Sequence, residues 1–196
     1  MPADVRAFLA EANRRIERFQ IDRHVPGFVP SDFTRTYAVL RSLAEGGLAP
    51  GNLFCEWGSG FGVVACLAAM LDFDAHGIEI DEGLVEAARQ LAADFDMPVE
   101  FSHGSFIPAG TDVCLDANDG FSWLMTEERG TVDGMDLETD DFGVIFAYPW
   151  PDEEHVIEEL FDRHAANGAI LVTYRGDDQL RVQRRVGPSS RRRGRR

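Results

Sequence analysis

The sequence predicts an α/β fold: a doubly wound, mostly parallel sheet with helices on both faces, truncated at its C-terminal strands. Three observations predict it. From Pro50 onward the apolar segments alternate strand, helix, strand, helix, strand, an order that requires crossover helices and therefore parallel pairing. A glycine-rich turn, Gly58-Ser59-Gly60-Phe61-Gly62, separates the first of these strands from a helix that is apolar all round. A carboxylate, Glu79, closes the next strand.

Before Pro50 the pattern is helical. Val5, Phe8, Leu9, Ala12, Ile16 and Phe19 recur at helical spacing with Arg14, Arg15 and Arg18 mostly opposite, as in an amphipathic packing helix. Pro26, Gly27 and Pro30 interrupt it, and Ser31 or Asp32 caps a second helix carrying Phe33, Tyr37, Leu40 and Leu43, which Gly46-Gly47 ends. The α/β series then assigns Leu53 to Trp57 as a strand, Gly62 to Leu71 as the buried helix and Ala75 to Ile80 as a strand. Glu82 to Phe95 comes next as a helix and Val99 to Ser102 as a third strand. Residues 107–140, rich in Asp, Gly and Thr around a short apolar stretch at Phe121 to Met125, read as an insertion or lid. Regularity returns with a strand at Gly143 to Tyr148, a helix at Glu153 to His164 and a strand at Ala169 to Tyr174. The helix carries Asp152, Glu153 and Glu154 at its start and Arg163 and His164 at its end, matching its dipole, before Asn167-Gly168 stops it. The remaining chain has room for one weak strand near Leu180 to Val186. The expected organisation is an N-terminal helical segment (1–27), an α/β domain (28–180) with the insertion at 107–140, and a basic tail (181–196) expected to be disordered.

With 44% hydrophobic and 27% charged residues, the 196-residue chain has the composition of one soluble globular domain with a tail. Its net charge of −15 is unevenly spread: every acidic residue lies at or before Asp178, and from Arg181 onward only arginines carry charge. An acidic body repels phosphate backbones, which argues against a nucleic-acid partner. All 19 basic residues are arginine. Cys55, Cys66 and Cys114 form no CxxC pair and no disulfide framework, so a reducing, cytoplasmic setting is expected. Residues 1–10 lack the pattern of a signal peptide, and the longest apolar run, Phe61 to Leu71, is too short to span a bilayer, so no membrane partner is expected.

The chemistry concentrates at Glu56-Trp57-Gly58-Ser59-Gly60-Phe61-Gly62. Glycines let the backbone turn sharply and approach a ligand, and the succeeding helix offers free N–H groups. Glu79, at the end of the neighbouring strand, can accept hydrogen bonds from two ribose hydroxyls. On these residues the chain resembles the class I (Rossmann-like) S-adenosylmethionine-dependent methyltransferases, whose first motif is an acidic residue followed by GxGxG. The resemblance extends over roughly residues 28 to 175 and implies S-adenosylmethionine as cofactor. Glu56 with Gly58, Ser59, Gly60 and Gly62 would hold its methionine part, Glu79 its ribose, and Ile80 would pack on the adenine. After the third strand, His103-Gly104-Ser105-Phe106 stands where many members have Gly-Asp; Ser105 departs from that pattern, and Ser105 and Phe106 are the expected adenine contacts. Phe28-Val29-Pro30-Ser31-Asp32 resembles a segment that folds over the cofactor in a subset of these enzymes.

The stretch Asp141 to Pro151 resembles the family's fourth motif, beside the transferred methyl group. In amino-group enzymes a polar residue often opens that motif; Ala147 or Tyr148 stands there instead, which argues against chemistry on a nucleobase amino group. Tyr148 and Trp150 are the expected acceptor-side residues, able to line the pocket or to contact the sulfonium through their ring faces. The expected function is thus methyl transfer to a protein side chain or small molecule. A GxGxxG dinucleotide fingerprint fails because Gly62 falls one residue early, which leaves an NAD(P)-dependent oxidoreductase as the alternative enzyme. A non-catalytic S-adenosylmethionine-binding partner subunit is the alternative of another class, and a short C-terminus leaves a sheet edge for a partner or a homodimer. No metal is expected: Asp116 to Glu127 misplaces the glycine of an EF-hand, and the five histidines lack metal-ligand spacing. There is no nucleophile elbow either.

Overall fold

A computed structural model describes residues 1–23, 25, 27–108, 111, 135–151, 153–175 and 179–187. Two helices come first, α1 (Ala3–Asp22) and α2 (Phe33–Glu45). The α/β series continues as β1 (Leu53–Trp57), α3 (Val63–Ala69), β2 (Asp74–Glu79), α4 (Glu82–Asp94) and β3 (Val99–His103). After a short 3-10 turn at Thr139–Asp141 come β4 (Val144–Ala147), α5 (Glu154–His164), β5 (Ile170–Arg175) and β6 (Gln179–Arg184). Most of the expected insertion, with Phe121 to Met125, Cys114 and the segment Asp116 to Glu127, lies outside the described residues, as does the tail from Pro188.

Local chemistry fixes the boundaries. Asp32 caps α2 by accepting from the Arg35 N–H at 3.0 Å, and Asp81 caps α4 by accepting from the Leu84 N–H at 2.9 Å. Gly168, at φ +92°, supplies the left-handed turn between α5 and β5. Among the described residues the strands form one sheet in the order β3-β2-β1-β4-β5-β6, parallel throughout except for β6, which runs antiparallel to β5. The chain moves from β1 outward to β3 and then returns to β4 on the other side of β1. Such a reversal opens a crevice beyond the carboxyl ends of β1 and β4.

Alternation along the strands divides the core in two. Phe54, Val144, Phe146, Ile170 and Val172 face α1 to α4, while Cys55, Trp57, Ile145, Ala147 and Leu171 face α5. Helix α3 is buried from Val63 to Ala68, because α2 covers it on one side and the sheet on the other. The N-terminal segment shares this core: the Phe8 ring meets Phe95 edge-on with centroids 5.1 Å apart. β6 reaches into the segment 181–196 assigned to the tail, and its arginines have structural partners. Arg181 pairs with Glu158 of α5, and Arg184 donates to the carbonyls of Leu48 and Gly168 at 2.6 and 3.0 Å. No helix among the described residues is long and apolar enough to cross a membrane.

Candidate functional site

The glycine turn connects β1 to α3 at the crevice. The Ser59 N–H donates to the Ile78 carbonyl at 2.9 Å, fastening the turn to β2, and the Gly62 N–H donates to the Ser59 carbonyl at 2.7 Å, closing it. Gly58, Gly60 and Gly62 all have left-handed backbones, with φ of +67°, +52° and +66°. Their surroundings differ. A Cβ on Gly60 would lie 2.7 Å from the Phe28 ring, and one on Gly62 would lie 2.2 Å from Phe101 and 3.0 Å from the Ala88 Cβ. A Cβ on Gly58 would meet nothing within 4 Å. Gly62 therefore serves close packing of α3 against β3 and α4, and Gly58 borders open space.

Two buried carboxylates brace this turn. Glu56, 5% exposed at the end of β1, accepts from the Ala65 N–H at 2.8 Å, satisfying a free donor in the first turn of α3. Burial pushes its carboxyl well above the ordinary range; the Ala65 hydrogen bond opposes the shift and the nearby Glu79 charge adds to it. Glu79, 7% exposed, accepts from the Gly60 N–H at 2.8 Å through Oε2, and from the Ile80 and Asp81 N–H groups at 2.8 and 2.9 Å through Oε1. Its carboxyl is also raised, by burial first, against the pull of those three N–H donors. A carboxylate offers about four lone-pair sites. Glu79 therefore keeps capacity for one more donor, and a grip on two ribose hydroxyls would require one backbone amide to let go.

A cavity of about 520 Å³ opens above these residues. Of the positions expected to hold a cofactor, Glu56, Gly58, Ser59, Gly60, Glu79 and Ile80 line it, and so do Ser105 and Phe106. Gly62 does not, consistent with its packing role. The Ser59 hydroxyl is buried without a hydrogen-bond partner among the described residues. The Ser105 hydroxyl accepts from the Ile107 N–H at 3.2 Å, and the Phe106 ring lies flat on Trp57, centroids 5.2 Å apart and planes 5° from parallel. Phe106 is thus both a packed aromatic and a wall of the cavity. Tyr148 and Trp150 line the β4 side; Tyr148 is held edge-on against Tyr174 at 4.8 Å.

The segment before α2 forms the opposite wall. Phe28 stacks on Phe61 at 5.7 Å, Phe19 of α1 meets Phe61 at 5.1 Å, and Val29, Pro30 and Phe33 continue the apolar surface. Sequence reasoning missed Asp81 and Glu153, which also line the cavity. Asp81 was signalled by its place two residues after Glu79, as the cap of the next helix; Glu153 carried no sign beyond its position near a helix start. Among the described lining residues the ionisable acids are Glu56, Glu79, Asp81 and Glu153, and there is no arginine, lysine or histidine.

No family profile matches the chain, and no curated protein sequence matches it. Its structure is similar to solved methyltransferases. An RNA methyltransferase from Salinibacter ruber in complex with S-adenosyl-L-homocysteine is 20% identical, with a TM-score of 0.52 over 74% of this chain and 76% of that one. A methyltransferase from Geobacter sulfurreducens is 16% identical, with a TM-score of 0.52 over 88% of this chain and 80% of that one. An O-methyltransferase from Bacillus cereus with SAH is 15% identical, with a TM-score of 0.53 over 88% of this chain and 66% of that one. Among the first solved structures it matches, the chain spans from 30% to 80% of their lengths. With the strand order, the reversal between β1 and β4 and the glycine turn at that point, this chain has the Rossmann-like fold of the class I S-adenosylmethionine-dependent methyltransferases.

Proposed function

We propose that the chain is an S-adenosylmethionine-dependent methyltransferase acting on a protein side chain or small molecule rather than on nucleic acid. The observation that carries this reading is the convergence of the Gly60 N–H and the Glu79 carboxylate, 2.8 Å apart, on the wall of a cavity of about 520 Å³. Glu56 and the turn would hold the methionine part of the cofactor, Glu79 one ribose hydroxyl, and Ile80, Ser105 and Phe106 the adenine. The cofactor carries a net positive charge, and a cavity whose described lining has four carboxyl groups and no basic side chain suits it.

The same donors speak against a nicotinamide dinucleotide. A pyrophosphate needs the free amides of the turn and of the helix start. Here Glu79 takes the Gly60 N–H and Glu56 takes the Ala65 N–H, so two of these amides are already bound by the protein's own carboxylates.

S-adenosylmethionine would supply an already electrophilic methyl group for direct transfer to an acceptor lone pair, with S-adenosylhomocysteine as the other product. The chain's own contribution would be to orient the two reactants and to limit water, for which the cavity offers the apolar side chains of Phe28, Val29, Pro30 and Phe106. Calorimetry with S-adenosylmethionine and with NAD separates the two enzyme readings; heat with NAD alone ends this one. Transfer of labelled methyl to a lysate, lost in Glu79→Ala, separates an enzyme from a non-catalytic binder.

A further inference from the structure

The outer edge of β6 has the features of an interface. We infer that β6 pairs antiparallel with β6 of a second copy, across a twofold axis at Val182, joining two sheets into one. The inference goes beyond the methyltransferase reading and does not depend on it.

Hydrogen bonds define the free edge. Among the described residues β6 ends the sheet. The Arg185 N–H donates to the Ala169 carbonyl and the Arg185 carbonyl accepts from the Gly168 N–H, both at 2.9 Å, so Arg185 turns its backbone groups toward β5. Strand alternation then points those of Gln183, Arg181 and Gln179 inward and those of Arg184, Val182 and Leu180 outward. Solvent-facing edges are commonly guarded by proline, lysine or a bulge. β6 has neither proline nor lysine, and its pairing with β5 runs unbroken from Gln179 to Arg184. Its two arginines are tied into their own chain, Arg181 to Glu158 and Arg184 to the carbonyls of Leu48 and Gly168.

Exposed apolar surface gathers at the same place. Of six exposed large hydrophobic side chains among the described residues, three belong here: Leu48 at 49%, Val182 at 47% and Val186 at 85%. Val182 stands opposite Val172, on the sheet face toward α1 to α4, and Leu48 supplies the carbonyl that Arg184 binds. A strand partner covers this apolar surface and satisfies the outward backbone groups together.

Charge selects a second copy and its register. A twofold axis perpendicular to the sheet keeps every side chain on its own face, so only residues of one face can oppose each other. With the axis at Val182, Val182 meets itself, Arg181 meets Gln183, Arg184 meets Leu180 and Arg185 meets Gln179. No arginine then stands directly opposite another. An axis at Arg181 opposes the two Arg181 side chains, and an axis at Gln183 sets Arg181 against Arg185; like charges directly opposite destabilise a strand pair. Gln183 also has an amide oxygen without a hydrogen-bond partner among the described residues, and Arg181 of the second copy is a donor set opposite it. Rival occupants fit less well. The segment after Gly187 carries five arginines and no acid, so it would be repelled by Arg181 and Arg184, and with those two tied inward the edge offers an acidic segment little.

Analytical ultracentrifugation of the full chain across a micromolar range is expected to show a reversible dimer. Val182→Lys, which sets two ammonium groups face to face at the axis, is expected to raise the dimer dissociation constant roughly tenfold or more. Val182→Pro removes an outward N–H while leaving the bonds to β5, and is expected to do the same, as a second variant should the first fold poorly. Val182→Cys is expected to cross-link to its own copy under mild oxidation, above the background of the parent, and Gln179→Cys not to, because identical residues come within disulfide reach only at the axis. A monomer throughout the range, a dimer that both folded variants leave intact, or a Gln179→Cys cross-link as fast as that of Val182→Cys overturns the proposal. So does a monomer whose Val182 amide resists hydrogen exchange, which would assign the edge to another segment of the same chain.

Discussion

The contrast between Gly58 and Gly62 makes a sharp test of how the turn works. Both have left-handed backbones, at φ of +67° and +66°, so alanine at either position carries the same conformational penalty of about 1–2 kcal/mol. Only at Gly62 does the new methyl collide, 2.2 Å from a Phe101 ring carbon and 3.0 Å from the Ala88 Cβ. Forcing a methyl into such a contact adds about 1–3 kcal/mol. Gly62→Ala is therefore expected to destabilise the fold by about 2–5 kcal/mol in total, and Gly58→Ala by about 1–2 kcal/mol. Gly58, with nothing within 4 Å of its added methyl and a place on the cavity wall, should instead lose affinity for S-adenosylmethionine. Urea unfolding gives the stabilities, and calorimetry on the folded variants gives the affinities. If Gly62→Ala unfolds within experimental error of Gly58→Ala, the packing account of the third glycine is wrong. If Gly58→Ala binds as well as the parent, the ligand does not approach the turn there.

The carboxylates and rings carry further expectations. Because burial raises the Glu56 carboxyl, the folded chain holds a proton there to higher pH than the unfolded chain does, so its effect on stability turns unfavourable as pH rises from the ordinary carboxylate value toward the raised one. Glu56→Gln should then melt higher than the parent at pH 8, with the gap closing toward pH 4.5, and should bind the cationic S-adenosylmethionine less tightly; a variant that melts lower at pH 8 contradicts this. Glu79→Ala strips three N–H groups of their acceptor, lowering the thermal midpoint, and removes the one bond left for a ribose hydroxyl, so it is expected to weaken S-adenosylmethionine binding about 10- to 150-fold, given roughly 1.5–3 kcal/mol for a charge-assisted bond; a loss under threefold in titration would show that the carboxylate is not part of the site. Phe28→Ala removes the ring stacked on Phe61 and covering Gly60, and should raise the cofactor dissociation constant while lowering the thermal midpoint. Tyr148→Phe keeps the edge contact with Tyr174 and should leave melting within about 0.5 kcal/mol of the parent, whereas Tyr148→Ala loses it; only a steady-state defect in the Phe variant assigns the hydroxyl to the acceptor.

Legibility in the sequence depended on whether the governing physics is local. Helix and strand periods act over a few residues, and the expected elements from Leu53 to Arg175 agree with the observed ones to within two or so residues at each end. Caps are local too, and Asp32 performs the role read for it or its neighbour Ser31. Glu153 is different: a glutamate near a helix start is ordinary, and only the path of β4 and the turn at Pro151 place it on the cavity. The strand near Leu180 to Val186 is legible as β6, but the partners of its Arg181 and Arg184 are not, because Glu158, Leu48 and Gly168 lie far from them in sequence.

From the sequence by itself came the alternating α/β order, the glycine turn between β1 and α3, and the carboxylate that ends β2, since each rests on backbone preferences and periodicities within a short window. The tertiary structure alone decided which glycine packs and which faces open space, that Glu79 commits its lone pairs to three backbone amides, and that Phe28 covers the turn. Those outcomes depend on which strands become neighbours and which faces meet. A contact between residues as distant along the chain as Gly62 and Phe101 is set by the sheet order and leaves no mark in the local pattern.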